Sequence, residues 1–236
     1  MGLIHPQPGR TVHTSAVADC CDRDDFDAEG YDSVFGDRFA RRMARRYRKR
    51  GLSPAARGIS AFLAERDIAG ATLLEIGGGV GELHVELLRQ GAAHATNLEI
   101  SGSYEAEASA LLERAGMQGR VDRRRVDIAR APDEVEPADV VVLHRVVCCY
   151  PDYQRLLSAA GSKADRLLVF SHPPRNLASM TVMAWENAWR RVKGDSFRTF
   201  VHPPREMLGV LADAGLRPSY RWRGFGWRVV GLERAS

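Results

Sequence analysis

The sequence predicts an α/β protein built on a mostly parallel sheet, and three observations carry that expectation. From 72 to 99 a short strand, a glycine turn, a helix, a second strand and an acid follow one another. The runs 138–143 (ADVVVL) and 166–171 (RLLVFS) have the length and apolar content of strands buried on both faces. Helical patterns alternate with these strands as in consecutive βαβ units.

Taken in order, residues 1 to about 30 are polar and show no periodicity, with an acidic patch of Asp22, Asp24, Asp25, Asp27 and Glu29. The stretch reads as a loosely draped arm or as a lid. Cys20 and Cys21 are soft vicinal thiols, but neither a C-x-x-C nor a histidine-rich run accompanies them, so no metal site is expected. From 38 to 63 the pattern turns helical. Phe39, Met43 and Tyr47 recur at i, i+4 and i+8 as one apolar stripe among Arg41, Arg42, Arg45, Arg46, Arg48, Lys49 and Arg50. Gly51 ends that helix, and Ser53-Pro54 starts another as N-cap and first helical residue, with Ile59, Phe62 and Leu63 as its buried face. The arginines are a solvated face, an anchor for an anionic substrate, or an RNA-binding patch.

Past Glu99, 103–115 reads as a helix closed by Gly116, and 120–126 as a strand ending at Asp127-Ile128-Ala129. A helix over 152–160 follows the strand at 138–143, with Asp152 as its N-cap behind Pro151. A last helix, 203–214, opens on Pro-Pro and stops at Gly215; two strands, 219–223 and 227–232, flank Gly224-Phe225-Gly226. The insertion between 171 and 203 carries Met180, Met183, Trp185 and Trp189, which suit either a substrate pocket or a helix face buried on the domain.

With 236 residues, 44% hydrophobic and 27% charged, the chain suits one α/β domain with extensions and a packed core. No apolar run approaches the roughly 18 residues of a membrane span, and no secretory h-region is seen. The four cysteines form two adjacent pairs rather than a secreted disulfide framework, so a cytoplasmic location is expected. A net charge of +4 says little about partners.

The glycine turn separates two cofactor classes. A dinucleotide site wants G-x-G-x-x-G with the pyrophosphate on the helix N-terminus. Gly77 and Gly79 fit, but the third position is Glu82, a poor neighbour for a pyrophosphate. The pattern acid-x-G-x-G-x-G is met in full by Glu75, Gly77, Gly79 and Gly81, and suits a cationic ligand without phosphate. It resembles the first motif of class I S-adenosylmethionine (SAM) dependent methyltransferases, and the resemblance covers roughly 72–232.

That resemblance implies a Rossmann-like seven-stranded sheet whose last strand is antiparallel, with an N-terminal helical arm and a helical cap inserted after strand five. It divides the chain into an arm with basic helices on the lid or substrate side, 1–63, and a methyltransferase domain, 64–236, with the cap at about 172–202. It implies SAM as cofactor and S-adenosylhomocysteine as product, and a small-molecule acceptor methylated at oxygen or nitrogen. Glu75 would meet the methionine amino end over a floor of Gly77, Gly78 and Gly79; Glu99 would hold the ribose hydroxyls beside Ile100; Asp127 and Ile128 would meet the adenine. His144, at the end of the fourth strand, is a general-base candidate or a cofactor-pocket wall. His172 is a second base candidate, with Arg145, Tyr150, Arg175 and Trp185 on the substrate side. Cys148 and Cys149 are structural or reactive. Alternative readings are an RNA methyltransferase using the arginine-rich helix, a SAM-binding regulator without turnover, and a thiol- or metalloid-directed enzyme. Oligomeric state is not legible.

Overall fold

The computed structural model describes residues 30–235, so the arm at 1–29, with Cys20, Cys21 and its lid reading, lies outside the described residues. Seven strands form one sheet: Thr72–Ile76 (β1), His94–Leu98 (β2), Val121–Arg124 (β3), Ala138–Leu143 (β4), Ala164–His172 (β5), Leu216–Arg223 (β6) and Arg228–Arg234 (β7). Their order is β3-β2-β1-β4-β5-β7-β6, with β7 antiparallel to both neighbours and the other pairs parallel. This is the expected mostly parallel fold, and its reversal of strand order between β1 and β4 opens a crevice at the carboxyl ends of the strands.

The apolar run of β4 sits at the sheet centre because each of its faces is covered. Val140 and Val142 pack with Leu167 and Val169 of β5 on one side, while Val141 and Leu143 pack with Leu168 and Phe170 on the other. The first core is closed by Pro54–Ala64 (α3) and Glu82–Arg89 (α4), through Ile59, Phe62, Leu63, Leu83 and Leu87. The second is closed by Tyr153–Ser162 (α6) and Pro204–Asp213 (α8), through Leu156, Leu157, Met207 and Leu211. Asp37–Arg50 (α2), Glu105–Ala115 (α5), Leu177–Val192 (α7) and a single turn, Tyr31–Val34 (α1), complete the helices. No helix among the described residues is long and apolar enough to cross a membrane.

Several boundaries move for physical reasons. β3 stops at Arg124 rather than at 126 because its only partner, β2, ends at Leu98 opposite it. The helix expected from 103 begins at Glu105, since Gly102–Tyr104 form a 3-10 turn capped by Ser101. β6 extends back to Leu216 through Pro218, which an edge strand tolerates. The cap after β5 is the helix α7, and none of its residues is buried. Its Trp185 and Trp189 rings stack on one another while remaining 69% and 53% exposed, so the face read as core-facing or pocket-lining points to solvent.

Helix starts follow the sequence signals. Asp152 accepts from Arg155 N at 2.9 Å, and Ser53 accepts from Ala56 N at 3.3 Å with Pro54 as the first helical residue. Ser53→Ala should therefore lower stability by about 1 kcal/mol, read as a lower urea midpoint at unchanged slope.

Candidate active site

β1 delivers the chain into Gly77-Gly78-Gly79 directly above a buried polar cluster of Glu75, His84 and Asn97. His84 Nδ1 donates to Glu75 Oε2 at 2.6 Å, and the Asn97 amide nitrogen lies 3.2 Å from the same ring nitrogen. The cluster accounts for two glycines. A Cβ at Gly78 would run into the Asn97 amide and come within 2.8 Å of the Glu75 carboxylate. At Gly81, where φ is 87°, it would overlap the His84 ring. Gly81 thus faces the histidine that supports the turn and is not part of the cleft lining.

Above the turn opens a cleft at the carboxyl ends of the strands. Glu75, Gly77, Gly78, Gly79, Glu99, Ile100, Asp127, Ile128, His144, Arg145 and Tyr150 all line it, so most of the sequence candidates converge. Glu99 ties the turn to the tip of β2: Oε2 accepts from Gly79 N at 2.9 Å and Oε1 from Ser101 N at 3.0 Å. Asp127 accepts from Ala129 N at 3.0 Å and from the Tyr150 hydroxyl at 2.9 Å, which joins a cofactor candidate to a substrate candidate.

The two histidines part company. Ser171 Oγ meets His144 Nδ1 at 3.0 Å and accepts from Arg145 N at 2.9 Å, drawing the end of β4 toward β5. His172, the next residue on β5, lies on the opposite face, donates from Nδ1 to Pro173 O at 2.8 Å, and lines a separate groove with Arg175, Arg205, Arg221, Arg223 and Arg228. Trp185 lines neither space.

Residues that the sequence reading left out form much of the wall. Phe39 and Met43 of the apolar stripe line the cleft beside Tyr31 and Phe35, while Tyr47 from the same stripe enters the core. The i, i+4 spacing extends back to Phe35 and was the available signal. Tyr104 and Glu82 also line the cleft. Glu82 figured in the sequence only as an argument against a pyrophosphate.

Burial sets the electrostatics. It raises the Glu99 carboxyl above the ordinary range, against the backbone N–H groups of Ser101, Gly79 and Ile100 and the Arg123 guanidinium, which lower it. It pushes Glu82 up to about 7, with the nearby Glu75 adding to the rise. Burial, and then the Arg145 guanidinium, lower His144 to about 3, so its imidazole is neutral at physiological pH. Arg145 itself adopts φ 63°, a left-handed conformation uncommon outside glycine, and lies over the Trp227 ring at 5.0 Å.

A family model described as a methyltransferase domain matches residues 39–219. Among solved structures, the chain is similar to the magnesium protoporphyrin IX methyltransferase of Synechocystis PCC 6803 with bound S-adenosylhomocysteine, at 20% identity and TM-score 0.65, covering 90% of this chain and 98% of that one. It is similar to an O-methyltransferase family protein from Burkholderia thailandensis at 18% identity and TM-score 0.66, covering 89% and 64% of the two chains. A putative RNA methyltransferase from Pyrococcus horikoshii matches at 14% identity and TM-score 0.53, covering 76% and 81%. No curated protein matches the sequence. At these identities the structures share the fold and leave the acceptor open.

The Glu82 shift has a measurable sign. Its folded-state value of about 7 lies above the ordinary 4.5, so folding favours the protonated form, and the stability it contributes is lost as pH rises from about 4.5 through about 7. Denaturant titrations of wild type and Glu82→Gln across that range should diverge, the wild type losing stability relative to the variant.

Proposed function

Because the chain belongs to the class I SAM-dependent methyltransferase family, we propose that it transfers a methyl group from SAM to a small-molecule acceptor, at oxygen or nitrogen. The charge balance of the cleft carries this reading. Glu75, Glu99 and Asp127 line it together with Glu82, which ionises only near pH 7, against Arg145 as the only lysine or arginine among the described lining residues. Such walls suit a sulfonium that bears an ammonium group, and oppose the pyrophosphate of a dinucleotide.

In this proposal Glu75, with Oε2 engaged by His84, turns its other oxygen to the methionine amino group. Gly77, Gly78 and Gly79 let the backbone pass close beneath the ligand. Glu99 accepts from the ribose hydroxyls, and Asp127 with Ile100 and Ile128 forms the adenine end. SAM supplies an electrophilic methyl group, and S-adenosylhomocysteine is left behind. The chain's own work is alignment and exclusion of water, for which Tyr31, Phe35, Phe39 and Met43 form an apolar wall.

His144 serves better as wall than as base. An imidazole held at about 3 takes a proton weakly near neutral pH, which favours acceptors that present a lone pair or arrive ionised. His172, Arg175 and Trp185 are outside the cleft lining and are given no step. An RNA acceptor would instead engage the exposed arginines of α2 and would bind with steep salt dependence. A regulator would bind SAM and transfer nothing to any acceptor.

Calorimetry with SAM, S-adenosylhomocysteine and NAD on wild type and Glu99→Ala tests the reading. Losing a carboxylate that accepts from two hydroxyls should weaken SAM by about 3 kcal/mol, roughly a hundredfold, with the circular dichroism of the fold retained. Binding of NAD and of neither SAM compound would sink the proposal.

A further inference from the structure

The turn after β4 places two thiols side by side at the cleft wall. Cys148 and Cys149 are free, their sulfurs 3.6 Å apart, and both point at the carbonyl oxygen of Arg145, at 3.7 and 3.6 Å. Cys149 lines the cleft and Cys148 is buried behind it. The backbone of the pair is pinned from three directions: Cys149 N donates to Val146 O at 2.8 Å, Phe200 N to Cys148 O at 2.8 Å, and the Tyr31 hydroxyl to Cys149 O at 3.1 Å. The sulfurs are therefore held together before any ligand arrives, which lowers the ordering cost of binding one.

The pair is poorly suited to close on itself. Adjacent Cα atoms are about 3.8 Å apart, inside the roughly 4.4 Å lower end of ordinary disulfides, so a bond between them would be strained and readily reduced. Soft thiolates instead choose soft partners. At bond lengths of roughly 2.3 Å, a linear dithiolate centre would hold its sulfurs about 4.6 Å apart, and a near-tetrahedral angle brings them to about 3.8 Å. The observed 3.6 Å matches the bent arrangement. A tetrahedral zinc ion would want two further protein ligands, and no group of three or more His, Cys, Asp or Glu able to hold a metal occurs among the described residues. A pyramidal trivalent centre needs only two sulfurs and one oxygen of its own.

We propose that Cys148 and Cys149 form a dithiol site for a trivalent, thiophilic metalloid of the arsenous-acid class, set in the wall of the cleft. Two sulfur–arsenic bonds form and two arsenic–oxygen bonds break. Each thiol proton leaves with a hydroxide as water, one hydroxyl stays on the arsenic, and no electron changes hands. The assignment concerns binding and is independent of methyl transfer.

The test uses the full-length reduced chain and sodium arsenite, read by native intact mass and by protection from iodoacetamide mapped on peptides. One arsenic per chain is expected, kept in Cys20→Ser/Cys21→Ser and weakened at least tenfold in Cys148→Ser and in Cys149→Ser. In wild type, arsenite should slow alkylation of Cys149, a reading that needs no variant to fold. The proposal is overturned by an adduct lost in Cys20→Ser/Cys21→Ser, by one unchanged in both single variants, or by Cys149 labelling at the same rate with and without arsenite. S-adenosylhomocysteine calorimetry on the same sample reports separately on the cofactor reading.

Discussion

The glycine turn depends on a hydrogen bond beneath it. His84 and Glu75 are both almost wholly buried, and each is the other's polar partner, so losing either side chain would strand a polar group in the interior at roughly 1–3 kcal/mol or more. Their contact also decides the shape of the loop above. Gly78 and Gly81 carry no side chain because the space is taken by Asn97, Glu75 and His84. The same packing starts α4 where Glu82 turns into the cleft. Glu99 then clamps the turn from the side through Gly79. The loop is squeezed between two carboxylates before any ligand is present.

That arrangement explains how so acidic a cleft remains folded. Glu75 is hydrogen-bonded by its histidine, Glu99 by backbone N–H groups, and Asp127 by Ala129 N and the Tyr150 hydroxyl, with the Arg130 guanidinium 3.4 Å away. Glu82 accepts from its own backbone N–H, yet burial outweighs that bond and the carboxyl holds its proton more tightly. A cation entering the cleft would compensate charges that the protein satisfies incompletely, a form of electrostatic preorganisation.

Strand and helix order was legible because the apolar runs of β4 and β5, the caps at Ser53 and Asp152, and the stop at Gly116 are local signals. The convergence of Glu75, Glu99, Asp127 and His144 followed from strand order, since parallel strands bring their carboxyl ends to one edge. What escaped was tertiary. The motif suggests that Gly81 faces a ligand, and only the fold reveals His84 beneath it. His144 and His172 both read as base candidates in the sequence, and only the two-residue alternation along β5 sends Ser171 to one face and His172 to the other. The amphipathic pattern of α7 was read as an inward face, but periodicity does not say what lies opposite.

Ser171 carries one further consequence. Its oxygen accepts the Arg145 N–H, which leaves its own hydrogen for His144 Nδ1, and the far nitrogen of that ring lies 3.5 Å from Ser53 Oγ, the cap of α3. Backbone, serine, imidazole and serine form one polar stitch between the centre of the sheet and the start of the N-terminal helical layer. Ser53 lies outside the walls of the chamber, yet its hydroxyl is a polar neighbour of a ring that lines it, so removing that hydroxyl would take a neighbour from His144 as well as the cap from α3.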